Sequence, residues 1–139
     1  MNTDGMIQSI FQKFKTIAVY GMSTNPDKPS NSVPVFLQSK GFEIIAVNPN
    51  AESIAGRKCH AHLDDIEQRI DVLEVFRPSE QVLGVVKEAL KRREEKGDID
   101  VIWLQLGIQN EEARKIAEEA GVVFIQDKCM KMEYQKLTV

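Results

Sequence analysis

The sequence predicts an α/β protein built on a doubly wound parallel sheet of five strands in a three-layer α/β/α arrangement. Three observations carry that expectation. Five short apolar runs, Thr16 to Tyr20, Phe42 to Asn48, Asp71 to Phe76, Val101 to Leu106 and Val122 to Ile125, are spread along the 139 residues. The segments between most of them place apolar residues at helical spacing. The runs themselves are near-continuous rather than alternating, as strands covered on both faces must be, so each crossover has to return a helix to the sheet.

Taken in order, the elements follow from local chemistry. Ile7, Ile10, Phe11 and Phe14 share one helical face at i, i+3, i+4 and i+7, which predicts a helix over roughly Asp4 to Lys15 within a lead-in of residues 1–15. Thr16 to Tyr20 is a β-branched-rich first strand that ends at Gly21 and feeds the polar loop Met22 to Pro29. Ser30 or Ser32 is expected to cap a helix running to about Lys40, with Pro34 tolerated in its first turn and Gly41 as its stop. Phe42 to Asn48 reads as the second strand and Pro49 to Ala61 as irregular, while Leu63, Ile66 and Ile70 suggest a short helix.

Asp71 to Phe76 is the third strand. Ser79 is expected to cap a helix with Val82, Val85, Val86, Ala89 and Leu90 on its apolar face, and Lys91 to Lys96 reads as its solvated end before Gly97. Val101 to Leu106 follows as the fourth strand. Asn110, with Glu111 and Glu112 near the positive end of a helix dipole, starts a helix through Ala113, Ile116, Ala117 and Ala120 that Gly121 stops. Val122 to Ile125 is the fifth strand, and Met130, Tyr134 and Leu137 mark a closing helix. Right-handed crossovers restrict such a sheet to a doubly wound, Rossmann-like order such as 3-2-1-4-5. With no internal repeat or linker, residues 1–139 read as one domain.

Composition narrows the partners. Eighteen Lys and Arg against 21 Asp and Glu give a net charge of −3 with no block of five like charges, which speaks against nucleic acid and against a membrane surface. Runs such as Ile44 to Val47 fall far short of the roughly 20 residues that span a bilayer, and the N-terminus lacks a basic-then-apolar leader. A cytoplasmic location is expected. Cys59 and Cys129 stand 70 positions apart without a C-x-x-C pair or a zinc-type cluster, so both are expected to be buried thiols and no metal site is expected.

An open parallel sheet binds ligands outside the carboxyl ends of its strands, where the strand order reverses. That rule selects the loops Gly21 to Ser32, Asn48 to Asn50, Arg77 to Ser79, Gly107 to Asn110 and Asp127 to Cys129. The first, Gly21-Met22-Ser23-Thr24-Asn25-Pro26, supplies only the first glycine of G-x-G-x-x-G, and the second strand ends Val47-Asn48-Pro49-Asn50 without an acidic residue. Both features of a dinucleotide site are thus missing. Hydroxyls at Ser23, Thr24, Ser30 and Ser32, with the following helix N-terminus, suit a phosphate; the same residues also suit turns and caps alone. Lys28, Arg57, Lys58 and Arg77 are the candidate cations for an anionic ligand. Arg57 and Lys58 fit a solvated loop as well, whereas Arg77 stands at a strand end.

From about Lys15 to Leu137 the chain resembles the small single-domain coenzyme A-binding proteins, whose fold is similar to the N-terminal domain of the succinyl-CoA synthetase α subunit. The resemblance rests on Thr16-Ile-Ala-Val-Tyr-Gly-Met-Ser23, Lys28-Pro-Ser-Asn-Ser-Val33, Val47-Asn-Pro49, Val75-Phe-Arg-Pro-Ser-Glu80, Trp103-Leu-Gln-Leu-Gly107 and Asp127-Lys-Cys-Met130. It implies coenzyme A, or an acyl-CoA, as the ligand. Gly21 and Ser23, with Met22 between them, would approach its phosphates, and Asn48 and Pro49 would border the adenosine side. Phe76, Arg77, Pro78 and Ser79 would pack along the nucleotide, Gln105 and Gly107 would face the pantetheine arm, and Lys28 and Ser30 complete the set.

No nucleophile, base and stabiliser come together at these loops, so no catalytic residue is expected. His60 and His62 fall in the irregular segment without a third ligand. Cys129 follows the fifth strand, where thiol exchange competes with the role of a small buried hydrophobe. Succinyl-CoA synthesis also depends on a phosphohistidine domain and an ATP-binding subunit, so the resemblance transfers a binding site and not the ligase activity. The leading expectation is a non-catalytic module that binds coenzyme A or acyl-CoA, as a sensor, carrier or subunit with a protein partner. An NAD(P)-dependent oxidoreductase and a structural interaction domain are the alternatives.

Overall fold

The computed structural model describes residues 3–137, so positions 1 and 2 of the expected lead-in lie outside the described residues. In chain order the elements are α1 (Thr3–Lys13), β1 (Thr16–Tyr20), α2 (Pro29–Ser39), β2 (Glu43–Val47), β3 (Ser53–Ile54) and β4 (Arg57–His60). Then come β5 (Val72–Val75), α3 (Val82–Lys96), β6 (Val101–Leu104), α4 (Glu111–Glu119), β7 (Val123–Ile125) and α5 (Met130–Leu137). The strands form one seven-stranded sheet in the order β3-β4-β2-β1-β5-β6-β7, parallel except for the antiparallel hairpin β3–β4. The α/β class and doubly wound layout are as expected.

Two features of the sheet correct the sequence reading. The segment Pro49 to Ala61 is not wholly irregular, because its hairpin adds two strands to the five expected. Counting only those five, the order is 2-1-3-4-5 rather than 3-2-1-4-5, with β5 directly beside β1. The reversal of strand order therefore lies between β1 and β5. Gly21 and Gly107 stand past strands that are not neighbours, since β5 separates β1 from β6.

Two apolar layers clamp the sheet. On one face Ile7, Ile10 and Phe11 of α1, Val33 and Leu37 of α2 and Met130 of α5 close over Ile17, Val19, Val72 and Trp103. On the other, Val82, Val85, Val86 and Ala89 of α3 and Ala113 and Ala117 of α4 cover Ala18, Leu73, Ile102 and Leu104. Cys59 and Cys129 are buried free thiols. Among the described residues, no helix is long and apolar enough to cross a membrane.

The helix starts are set less by serines than the sequence suggests. Pro29 occupies the first turn of α2 behind Lys28, which makes no side-chain cap, so Ser30 and Ser32 lie inside the helix. Ser79 opens a 3₁₀ turn, Ser79–Gln81, that runs into α3 without a side-chain cap. Asn110 does cap α4, its Oδ1 accepting the Ala113 N–H at 2.9 Å.

The helix expected across Leu63 to Ile70 is replaced by a single 3₁₀ turn, Leu63–Asp65. Arg92 explains the rest of that segment. Its Nη1 donates to the carbonyls of Leu63 (2.7 Å) and Ile66 (2.8 Å), and its Nη2 donates to that of Gln68 (3.0 Å). The same guanidinium pairs with Asp98 at 2.9 Å, and Asp98 accepts the Ile70 N–H at 3.0 Å. Arg92 is only 1% exposed, so the end of α3 is not the wholly solvated face that Lys91 to Lys96 suggests.

Candidate functional site

The site begins where β1 and β5 end side by side. Gly21 has φ of +88°, and a Cβ there would lie 2.7 Å from the Phe76 carbonyl oxygen and 3.0 Å from Arg77 Cδ. Glycine alone lets the two backbones approach so closely. Its N–H donates to the Val47 carbonyl at 2.9 Å, and Phe76 N–H donates to the Tyr20 carbonyl at 2.9 Å, so three strand ends are tied at one point.

The loop after Gly21 folds back onto α2. Ser23 N–H donates to the Ser30 carbonyl (3.2 Å), Asn31 Nδ2 donates to the Ser23 carbonyl (2.8 Å), and Ser23 Oγ accepts the Asn25 N–H (3.0 Å). Ser23 is thus half-buried and engaged in holding its own loop. Met22 is fully buried in the core and meets the site only through its carbonyl, which accepts from Asn48 Nδ2 at 2.9 Å. Asn48 Oδ1 in turn accepts the Asn50 N–H at 2.8 Å. Its amide braces the ends of β1 and β2.

Two adjoining clefts open above this junction and share Arg77. The first, about 420 Å³, is lined by Gly21, Asn48, Pro49 and Arg77 together with Tyr20, Gly84 and Val85 among others. The second, about 330 Å³, is lined by Lys28, Ser30, Phe76, Arg77, Pro78 and Gln105, with Leu106 and Ile108 at its edge. Most residues selected from the sequence therefore meet at one end of the sheet. Arg77 is exposed, and its Nε (3.0 Å) and Nη2 (2.6 Å) donate to Gln81 Oε1, which holds the guanidinium between the clefts.

Four of the residues that the resemblance assigns to the ligand line neither cleft. Besides Met22 and Ser23, these are Ser79, whose Oγ accepts the Gln109 N–H at 3.0 Å, and Gly107, whose N–H donates to Asp127 Oδ1 at 2.7 Å. Both stitch the loops after β5, β6 and β7 to one another. Arg57 and Lys58 belong to β4 and line neither cleft; Arg57 Nη1 donates to the Ile54 carbonyl at 3.4 Å, and burial lowers its pKa. His62 lines the first cleft, whereas His60 remains in β4.

Of the residues at or beneath the site that escaped the sequence reading, three are informative. Tyr20 walls the first cleft and donates its hydroxyl to Glu88 Oε2 at 2.7 Å. Burial, then the Glu88 hydrogen bond and charge, push its pKa up to about 12 against the opposing pull of Arg77. Its position as the last strand residue before Gly21 was the available signal. Leu106 is 58% exposed at the lip of the second cleft, an apolar side chain left open to solvent at a strand end.

Glu74 is the third. It pairs in register with Val19 and Trp103 on the α1, α2, α5 face, one pleat below Phe76 and Gln105, which line the second cleft. It is fully buried, neither carboxyl oxygen has a hydrogen-bond partner, and burial pushes its pKa up to about 8. A single acid within Val72-Leu-Glu-Val75 was visible as an anomaly in an otherwise apolar strand.

Chemically, the clefts present two cations, amides, a serine hydroxyl and carbon-rich walls, the materials of binding a long anionic ligand. A sequence profile described as CoA binding domain matches residues 15–135. The chain is 41% identical over 128 residues to uncharacterized protein YneT of Bacillus subtilis, covering 92% of this chain and 91% of that one. It is 31% identical over 106 residues to acetate–CoA ligase [ADP-forming] II of Archaeoglobus fulgidus, covering 75% of this chain but only 15% of the ligase. Among solved structures, cell-free ID.343 from Thermus thermophilus superposes with a TM-score of 0.89 at 33% identity over 99% of both chains.

Proposed function

The chain belongs to the CoA-binding domain family, and on that premise we propose that it is a cytoplasmic, non-catalytic module that binds coenzyme A or an acyl-CoA. In this reading residues 1–139 act as one domain, a sensor, carrier or subunit, and any chemistry on the thioester is done by a protein partner. The observation that carries the reading is the pair of clefts joined at Arg77, because coenzyme A is itself two unlike halves joined by a pyrophosphate. Arg77, Lys28 and Ser30 take the phosphates at the junction beside Gly21, with the cations supplying charge that a compact polyanion requires. The adenosine half lies along Asn48 and Pro49. The pantetheine arm runs over Phe76, Pro78 and Gln105 towards Leu106. Met22, Ser23, Ser79 and Gly107 support this surface from behind.

The test is a melting scan with coenzyme A, dephospho-CoA, NAD and NADP at equal concentration. A ligand at 100 times its dissociation constant stabilises the native state by about 2.7 kcal/mol, or a midpoint shift on the order of 10 °C for a chain of this size. Coenzyme A is expected to give the largest shift, dephospho-CoA an intermediate one and the nicotinamide nucleotides little. Arg77→Ala should weaken coenzyme A binding more at low salt than at high salt, because the contact it removes is screened. A shift from NAD with none from coenzyme A would reverse the reading in favour of a dehydrogenase.

A further inference from the structure

Six of the described glycines, Gly21, Gly41, Gly56, Gly97, Gly107 and Gly121, adopt positive φ and so have a backbone reason to lack a side chain. Gly84 is not among them. It lies in the first turn of α3, where glycine is a poorer helix former than alanine. Nor does packing within the chain require it, since a Cβ built at Gly84 would meet no atom within 4 Å. The missing side chain instead keeps space open in the first cleft, which Gly84 lines together with Tyr20, Pro49, Ala61, Val85 and Arg77.

The walls of that space combine apolar and polar side chains. Pro49, Ala61 and Val85 are carbon surfaces, and Tyr20 offers its ring, because its hydroxyl is already donated to Glu88. Arg77 brings a guanidinium to the same cleft. Carbon surfaces beside a cation, with Asn48, Asn50, His62 and Gln81 lining the rest of the cleft, suit a heteroaromatic base that has hydrogen-bonding edges and carries a phosphate. We propose that Gly84 sets the size of a slot for the adenine ring of the ligand, and that a side chain at this position closes it. This assignment rests on the coenzyme A reading and adds to it the residue that selects an adenine nucleotide at this end.

Calorimetric titration of coenzyme A and of adenosine 3′,5′-bisphosphate into wild type, Gly84→Ala and Gly84→Leu tests it, with a melting scan on each protein. Gly84→Ala is expected to raise the melting midpoint by about 2–4 °C through helix propensity while weakening both ligands by about threefold. Gly84→Leu is expected to weaken both by about tenfold or more. If the leucine variant does not fold, the alanine variant decides alone. Unchanged affinities in a wild type and variants that all bind coenzyme A would overturn the role of Gly84 and leave the coenzyme A reading standing. Binding of the bisphosphate but not of coenzyme A, lost in the variants, would uphold the slot and overturn that reading; a wild type that binds neither overturns both.

Discussion

At the scale of single residues, Glu74 places an ionisable group where water does not reach and where no donor meets it. In the folded protein it keeps its proton up to about pH 8, whereas in the unfolded chain it ionises near the ordinary value of 4.5. Between those two values the folded state binds more protons than the unfolded one. Its stabilising contribution is therefore fully present below pH 4.5 and is lost as the pH rises through 8, by at most about 1.4 kcal/mol per pH unit. Glu74→Gln keeps a neutral group of the same shape at every pH. Urea unfolding at several pH values should show the variant's advantage over wild type growing from pH 5 to 8 and then levelling. A difference that does not change with pH would mean that the acid finds a partner.

Elements were legible where one physical signal dominated. The apolar runs revealed five strands because buried parallel strands are nearly all hydrophobic, and Asn110 revealed the start of α4 because its cap is local. The hairpin β3–β4 stayed hidden for an equally local reason. Its two-residue turn is Ala55-Gly56, with φ of +52° and +78°, where Asn-Gly would have been the recognisable pair. Arg92 was legible in hindsight, since it continues the buried stripe Val85, Val86, Ala89 on α3, but its charge argued for solvent. Replacing it leaves Asp98 buried without its cation and the Gln68 carbonyl without its donor, while the carbonyls of Leu63 and Ile66 keep only the Ile66 N–H and the Lys96 ammonium. Arg92→Met is expected to cost about 3–5 kcal/mol in chemical denaturation. Amide exchange should quicken across residues 61–70, the segment this side chain holds, and uniform acceleration over the whole chain would argue against a local brace.

For the molecule as a whole, the sequence brought the candidate loops to one end of the sheet, because topology alone places them at the carboxyl ends of the strands. It did not determine which strands meet there. Two doubly wound orders satisfy the same right-handed crossovers, and only the pairing of β1 with β5 puts Arg77 against Gly21. From that one pairing follows the division of the site into two clefts with a shared cation. Residues such as Ser23 and Ser79 looked like ligand contacts because hydroxyls in loops suit anions. The same hydroxyls also suit backbone amides, and here Asn25 and Gln109 claim them.

The hairpin has a consequence for colonies of this molecule rather than for one copy. A strand at the margin of a sheet carries unpaired N–H and C=O groups that invite another chain to add itself. Here β4 covers the carboxyl end of β2 through Ala46 and Val47, and the outermost strand beyond it, β3, is only two residues long. At the opposite margin β7 has three residues. Both borders are thus too short to template a long intermolecular ladder. Replacing residues 51–60 by a short glycine-serine link removes Cys59 and His60, the partners of Ala46 and Val47, and so would bare the end of β2; concentration-dependent aggregation by light scattering is the expected result. A shortened chain that does not aggregate at high concentration would show that the border of β2 needs no cover.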